Sequence, residues 1–164
     1  MKKIITQSMK RLLIATLCIM HFALCISFAQ TMTVKTSQGV TYVFTANSDD
    51  MTYTDNGQTL TIQGKALSTS DITGISITAS GGDETASDDF VSVSYDGNAA
   101  TVEVAGNVAR YLTTTISGAD VTIAQSDDLS SEITYQLSGS SENGSFTMSG
   151  SYKASLVLNG LTLT

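Results

Sequence analysis

The sequence predicts an all-β protein behind an export signal, and three observations carry that prediction. From Thr31 onward, short runs of Val, Ile, Thr, Tyr and Phe recur, separated by Gly, Asn, Asp and Ser. Such runs are the mark of strands joined by tight turns. No stretch of that part holds a convincing helical period. Ahead of it lies a segment of quite different character.

That segment opens Met1-Lys2-Lys3, with Lys10 and Arg11 close behind, and is almost wholly apolar from Leu12 to Phe28. It closes on Ser27-Phe28-Ala29, which places small residues at −3 and −1 of a cut before Gln30. A positive start, an apolar middle and a small-residue exit make a secretory signal peptide over 1–29. The apolar run of about 17 residues is at the short limit for spanning a bilayer. Met9-Lys10-Arg11 offers a second possible start. Cys18 and Cys25 each follow a Leu, which does not match a lipoprotein signal. The expectation is a secreted or cell-surface protein, with no membrane insertion after cleavage.

Cleavage changes what chemistry is left. Both cysteines and the only histidine, His21, lie in the signal. The remaining chain keeps Lys35, Lys65, Arg110 and Lys153 against all fifteen carboxylates, a net charge of −11. It has no thiol for a disulfide or a nucleophile, and no imidazole for a general base or a transition metal. Its acidity argues against nucleic acid as a partner. It also gives a chain that stays soluble, or one that recruits hard cations through carboxylate oxygens.

The exported part, about 135 residues, divides into two regions. In the first, over 30–78, the predicted strands are Met32–Lys35, Thr41–Thr45, Met51–Thr54, Leu60–Gln63 and Ile72–Ile77. Asp55-Asn56-Gly57 signals a hairpin, because Asn-Gly readily takes positive φ. Residues 79–89 are acidic, rich in Gly and Ser and poor in apolar side chains, the composition of a flexible linker. The second region covers 90–164. Val91, Val93 and Tyr95 alternate with serines, Asp96-Gly97-Asn98 turns the chain, and Val102 and Val104 alternate on the way back. That is a hairpin with one buried face. Shorter strands follow at Leu112–Ile116, Val121–Ala124, Ile133–Leu137, Ser145–Met148, Ala154–Leu158 and Leu161–Thr164. Three of the turns share the form Ser-Gly: Ser117-Gly118, Ser138-Gly139 and Ser149-Gly150. Strands so short and so similarly ended suit a parallel β-helix, in which each strand stacks on the next coil. An antiparallel β-sandwich with tight hairpins fits the periodicity equally. The chain is still strand-like at Thr164, so the sequence is expected to be the leading part of a longer protein.

A family resemblance enters on particular residues. Val91-Ser-Val-Ser-Tyr-Asp-Gly-Asn98, Ile116-Ser-Gly-Ala-Asp-Val-Thr-Ile123, Tyr135-Gln-Leu-Ser-Gly139, Asn143-Gly-Ser-Phe-Thr-Met-Ser-Gly150 and Leu156-Val-Leu-Asn-Gly-Leu-Thr-Leu163 follow one another over 90–164. In that order the chain resembles the leading part of the bacterial carbohydrate-binding parallel β-helix proteins, which are similar in fold to pectate lyases. The resemblance implies a right-handed parallel β-helix preceded by a small β-hairpin module. It implies a non-catalytic protein that binds polysaccharide, acidic glycans such as polygalacturonate above all, with calcium. Two other function classes stay open beside it: a structural or adhesive surface protein, and a polysaccharide lyase.

The candidate chemistry is sparse. Asp127 and Asp128, with Glu132 nearby, place carboxylates on one turn and are the metal candidates, for calcium. Asp83, Glu84, Asp88 and Asp89 form a denser acidic cluster without the regular spacing of a calcium loop. A lyase would need a Lys or Arg beside a uronate, and Arg110 and Lys153 are the only two in the second region. The six tyrosines (Tyr42, Tyr53, Tyr95, Tyr111, Tyr135 and Tyr152) could stack on sugar rings, but most fall in phase with apolar neighbours and are expected in the core. No tryptophan is present.

Overall fold

A computed structural model describes residues 30–46, 51–79 and 88–164. The expected signal peptide, and most of the expected linker, lie outside the described residues. Among them the chain is mostly strand with almost no helix, as the sequence predicts.

The first hairpin pairs β1 (Gln30–Thr36) with β2 (Val40–Ala46), antiparallel. Gly39, with φ 81°, closes the turn between them. Three short strands follow as a meander: β3 (Met51–Thr54), β4 (Thr59–Ile62) and β5 (Lys65–Ser68). Asp55-Asn56-Gly57 does turn the chain, with Asn56 and Gly57 both at positive φ. The Asp55 carboxylate accepts from the Thr59 hydroxyl at 2.9 Å. Then β6 (Ile72–Ala79) returns to pair with the free side of β1.

The second half opens with β7 (Phe90–Asp96) and β8 (Ala99–Ala105), the predicted hairpin. One helical turn, α1 (Gly106–Ala109), lies against β2. A Cβ on Gly106 would sit 2.5 Å from the Phe44 ring and 2.9 Å from the Val43 carbonyl, so only glycine allows this approach. The chain then makes a second hairpin of β9 (Leu112–Ser117) and β10 (Asp120–Gln125). The last strands are β11 (Ile133–Ser141), β12 (Ser145–Ser149) and β13 (Ala154–Leu163).

These strands form three sheets. The largest has seven strands in the order β13-β11-β7-β8-β2-β1-β6; the others are β12-β10-β9 and β3-β4-β5. The pairing is mixed. Hairpins are antiparallel, while β2 with β8, β7 with β11, β11 with β13 and β10 with β12 run parallel. Taken whole, the sheets are mixed and are not those of a solenoid. The reason lies in the hairpins: two-residue turns at Gly97-Asn98 and Gly118-Ala119 reverse the chain where a coil would carry it onward. The two sequence regions also share one sheet, joined by the parallel pairing of Val40–Val43 with Val102–Ala105.

The core lies on the inner face of the seven-stranded sheet and under the smaller sheets. Val34, Phe44, Val91, Val93, Val102, Val104, Val121, Ile123, Ile133, Tyr135 and Leu137 are buried there. Strand alternation places them together: each has a polar residue before or after it on the opposite face. The tyrosine hydroxyls tie the layers. Tyr95 donates to the Ser145 carbonyl at 2.9 Å, and Gln125 donates to the Tyr135 hydroxyl at 3.1 Å.

Candidate functional site

The polar half of the strand alternation faces outward on the seven-stranded sheet. Register lines it up across strands. One row runs Lys35, Thr41, Glu103, Ser92, Gln136 and ends at the edge on the apolar Val157. A second runs Thr101, Ser94, Ser138, Asn159, and a third Asp96, Ser140, Thr162. Neighbouring strands stand about 4.8 Å apart, so each row, Val157 apart, is a regular line of short hydroxyl, amide and charged groups. The Ser94 and Ser138 hydroxyls lie 3.3 Å apart. Hydroxyls and amides both donate and accept hydrogen bonds. Nothing in the sequence marks these residues as ligand candidates. Alternation signals that they face away from the core; only register shows which stand side by side.

The carboxylates chosen from sequence are arranged differently. Asp127, Asp128 and Glu132 are all exposed, on the turn between β10 and β11. Asp127 accepts from the Ser151 hydroxyl at 3.5 Å, and the Asp128 amide donates to Ser126 Oγ at 3.3 Å. Among the described residues no three Asp, Glu, His or Cys side chains gather closely enough to hold a metal ion.

Of the acidic cluster over 83–89, Asp83 and Glu84 lie outside the described residues, and Asp89 is a structural anchor. Its carboxylate accepts from Ser131 Oγ at 2.8 Å and from the Asn107 amide at 3.1 Å. Its backbone N–H donates to Asn107 Oδ1 at 3.1 Å and its carbonyl accepts from Thr134 at 2.9 Å. Asp89 thus fastens the start of β7 to α1 and β11. Arg110 is exposed and lies over the Tyr111 ring, 4.4 Å from its centroid, donating to the Tyr111 hydroxyl. Lys153 is exposed before β13. Tyr42, Tyr95 and Tyr135 are core, as expected; Tyr53 and Tyr152 are exposed.

A cleft of about 140 Å³ opens between the first hairpin and β5. Gln38, Tyr42, Lys65, Ser68 and Asp71 line it. The Lys65 ammonium donates to the Leu112 carbonyl at 2.8 Å and stands 5.2 Å from the Tyr42 ring centroid. Burial pulls the Lys65 amine below its ordinary range and pushes the Tyr42 hydroxyl above its own.

The chain matches no family model, no curated protein and no solved structure.

Proposed function

We propose that this chain is an exported, non-catalytic polysaccharide-binding protein, and that the outer face of the seven-stranded sheet holds the glycan. The observation that carries this reading is the register that aligns Thr101, Ser94, Ser138 and Asn159, with Glu103, Ser92 and Gln136 in the adjacent row. Each hydrogen bond to a sugar at such an exposed place is worth about 1 kcal/mol net. A polymer crossing several strands engages many at once, and linked contacts raise avidity steeply. Acidic glycans such as polygalacturonate remain the proposed class. Calcium belongs to the same proposal, held at Asp127, Asp128 and Glu132 or shared with the glycan's own carboxylates. The finer architecture belongs to the same reading. The parallel registers of β12 on β10 and β13 on β11 support a leading coil of a right-handed parallel β-helix.

The test is affinity electrophoresis in gels with and without polygalacturonate, each with calcium or chelator. Retardation in the glycan gel is expected, and Ser94→Val with Ser138→Val should remove it while the circular dichroism stays unchanged. Equal mobility in every gel overturns the reading. Release of unsaturated product, seen as ultraviolet absorbance, would move the protein to the lyases.

A second reading rests on the sheet edges. Ile75 and Ile77 on β6 are 46% and 58% exposed, and Leu156 and Leu158 on β13 are 55% and 63% exposed. Neither strand carries a charge, the usual guard on an edge. A structural or adhesive protein would use such edges, and would show concentration-dependent self-association with no glycan preference.

A further inference from the structure

The chain places few cations among many anions, and Lys65 lines a cleft. Four basic residues follow residue 29, against fifteen carboxylates. Among the described residues Lys65 has none within 4.0 Å; its hydrogen-bond acceptor is the neutral carbonyl of Leu112. An ammonium carries three N–H donors, so two are left for the cleft. Tyr42 presents its ring beneath the charge and holds it by cation–π attraction.

The cleft also holds an acceptor. The Asp71 backbone carbonyl accepts from the Ser37 amide at 2.8 Å, which fixes that residue at the rim. Its carboxylate accepts only a long contact from Ser70 Oγ, 3.4 Å. Lys65 and Asp71 thus both line one cleft, with no ion pair between them. A ligand that satisfies both must bring an anion to Lys65 and hydroxyl donors to Asp71. Gln38 and Ser68, both exposed on the lining, can serve either kind of group. The volume is well below the roughly 300 Å³ at which pockets for drug-sized ligands begin, so the occupant is one small unit.

We propose that the cleft between the first hairpin and β5 is a binding site for a small polyhydroxylated carboxylic acid, with Lys65 taking the carboxylate and Asp71 a hydroxyl. This site is separate from the outer sheet face and does not rest on the glycan reading. Burial lowers the Lys65 pKa; a bound carboxylate would raise it again by stabilising the charged form.

The probe is free glucuronate, titrated into the ¹⁵N-labelled protein and followed by amide chemical shifts. Saturable shifts are expected at Gln38, Lys65 and Ser68. Galactose supplies hydroxyls without an anion, and acetate an anion without hydroxyls. Each should bind at least about tenfold more weakly, the loss of one charge-assisted hydrogen bond. Lys65→Met should abolish the glucuronate shifts and Lys65→Arg should keep part of them. If Lys65→Met unfolds because the Leu112 link is lost, Asp71→Asn serves instead: it should weaken glucuronate and leave acetate unchanged. No saturable shift in the wild-type protein overturns the proposal, as does galactose binding equal to glucuronate. Ser94→Val with Ser138→Val leaves this titration unchanged, so failure of polymer binding and failure of this site read out separately.

Discussion

At the residue scale, the interior is mostly apolar, and its polar exceptions carry the information. Tyr95 and Tyr135 bury their rings and find partners for their hydroxyls. Thr114 does not: its hydroxyl is buried on the inward side of β9 with no partner among the described residues. An unpaired buried hydroxyl costs about 1–3 kcal/mol. Thr114→Val keeps the shape and removes that cost. It should raise the urea midpoint, stabilising the fold by about 1 kcal/mol; a lower midpoint would show that the hydroxyl is satisfied. Gln125 is the other case. Its amide donates to Tyr135 while Oε1 has no partner among the described residues. Gly150 lies so close that a Cβ there would fall 2.3 Å from that oxygen. The sequence flags Gly150 as a turn residue; it does not show that the glycine also makes room for a buried amide.

At the element scale, the strands with strict alternation were legible and the turns less so. Val91-x-Val93-x-Tyr95 and Val102-x-Val104 predict β7 and β8 because alternation needs only local information. β5 was missed. Gln63-Gly64 turns β4 into β5 with φ 49° and 81°, a two-residue hairpin turn in which Gln stands where Asn is usual. Lacking the Asn signal, the sequence reads as one strand and a loop. Asn159-Gly160 predicts a turn between two strands, which the structure accommodates as an irregularity in one long strand, β13. Glycines that look alike in sequence also differ in burden. Gly139 has φ 85°, and a Cβ there would fall 2.0 Å from the Tyr95 carbonyl across the β7–β11 pairing. Gly97 has φ 61° and nothing within 4 Å. Gly97→Ala should cost only the left-handed backbone penalty, about 1 kcal/mol. Gly139→Ala adds a backbone collision and should cost at least about 2 kcal/mol more, measured side by side by urea unfolding. Equal losses would mean that the two strands part without penalty.

At the scale of the whole molecule, burial of tyrosines sets how the fold meets alkali. Desolvation raises the hydroxyl pKa of Tyr42, Tyr95 and Tyr135, with Asp120 adding to the rise at Tyr95 and the Gln125 hydrogen bond opposing it at Tyr135. A group whose pKa is higher folded than unfolded gives stability that is complete below its unfolded value and lost above it. For tyrosine that value is about 10. Lys65 acts oppositely: its pKa is lowered, so the cost of burying its charge is relieved as pH rises. Three tyrosines against one lysine predict stability that declines above about pH 10. Tyr42→Phe should shallow that decline while leaving the neutral-pH midpoint within about 1 kcal/mol; an unchanged alkaline slope would mean that Tyr42 ionises freely in the fold.

By itself the sequence determined that this protein is built of strands, where most of them lie, and which side chains turn inward. Each of those follows from a period of two and from turn residues, which are properties of a few neighbouring positions. Tertiary structure decided what meets what. The parallel junction of β2 with β8 joins two regions that look separate in the sequence. The alignment of Ser94 beside Ser138, and the meeting of Lys65 with Tyr42 and Leu112, likewise join positions far apart in the chain. A local pattern fixes the face on which a side chain stands; its neighbours are fixed by strand register, and register is settled by the packing of the whole core.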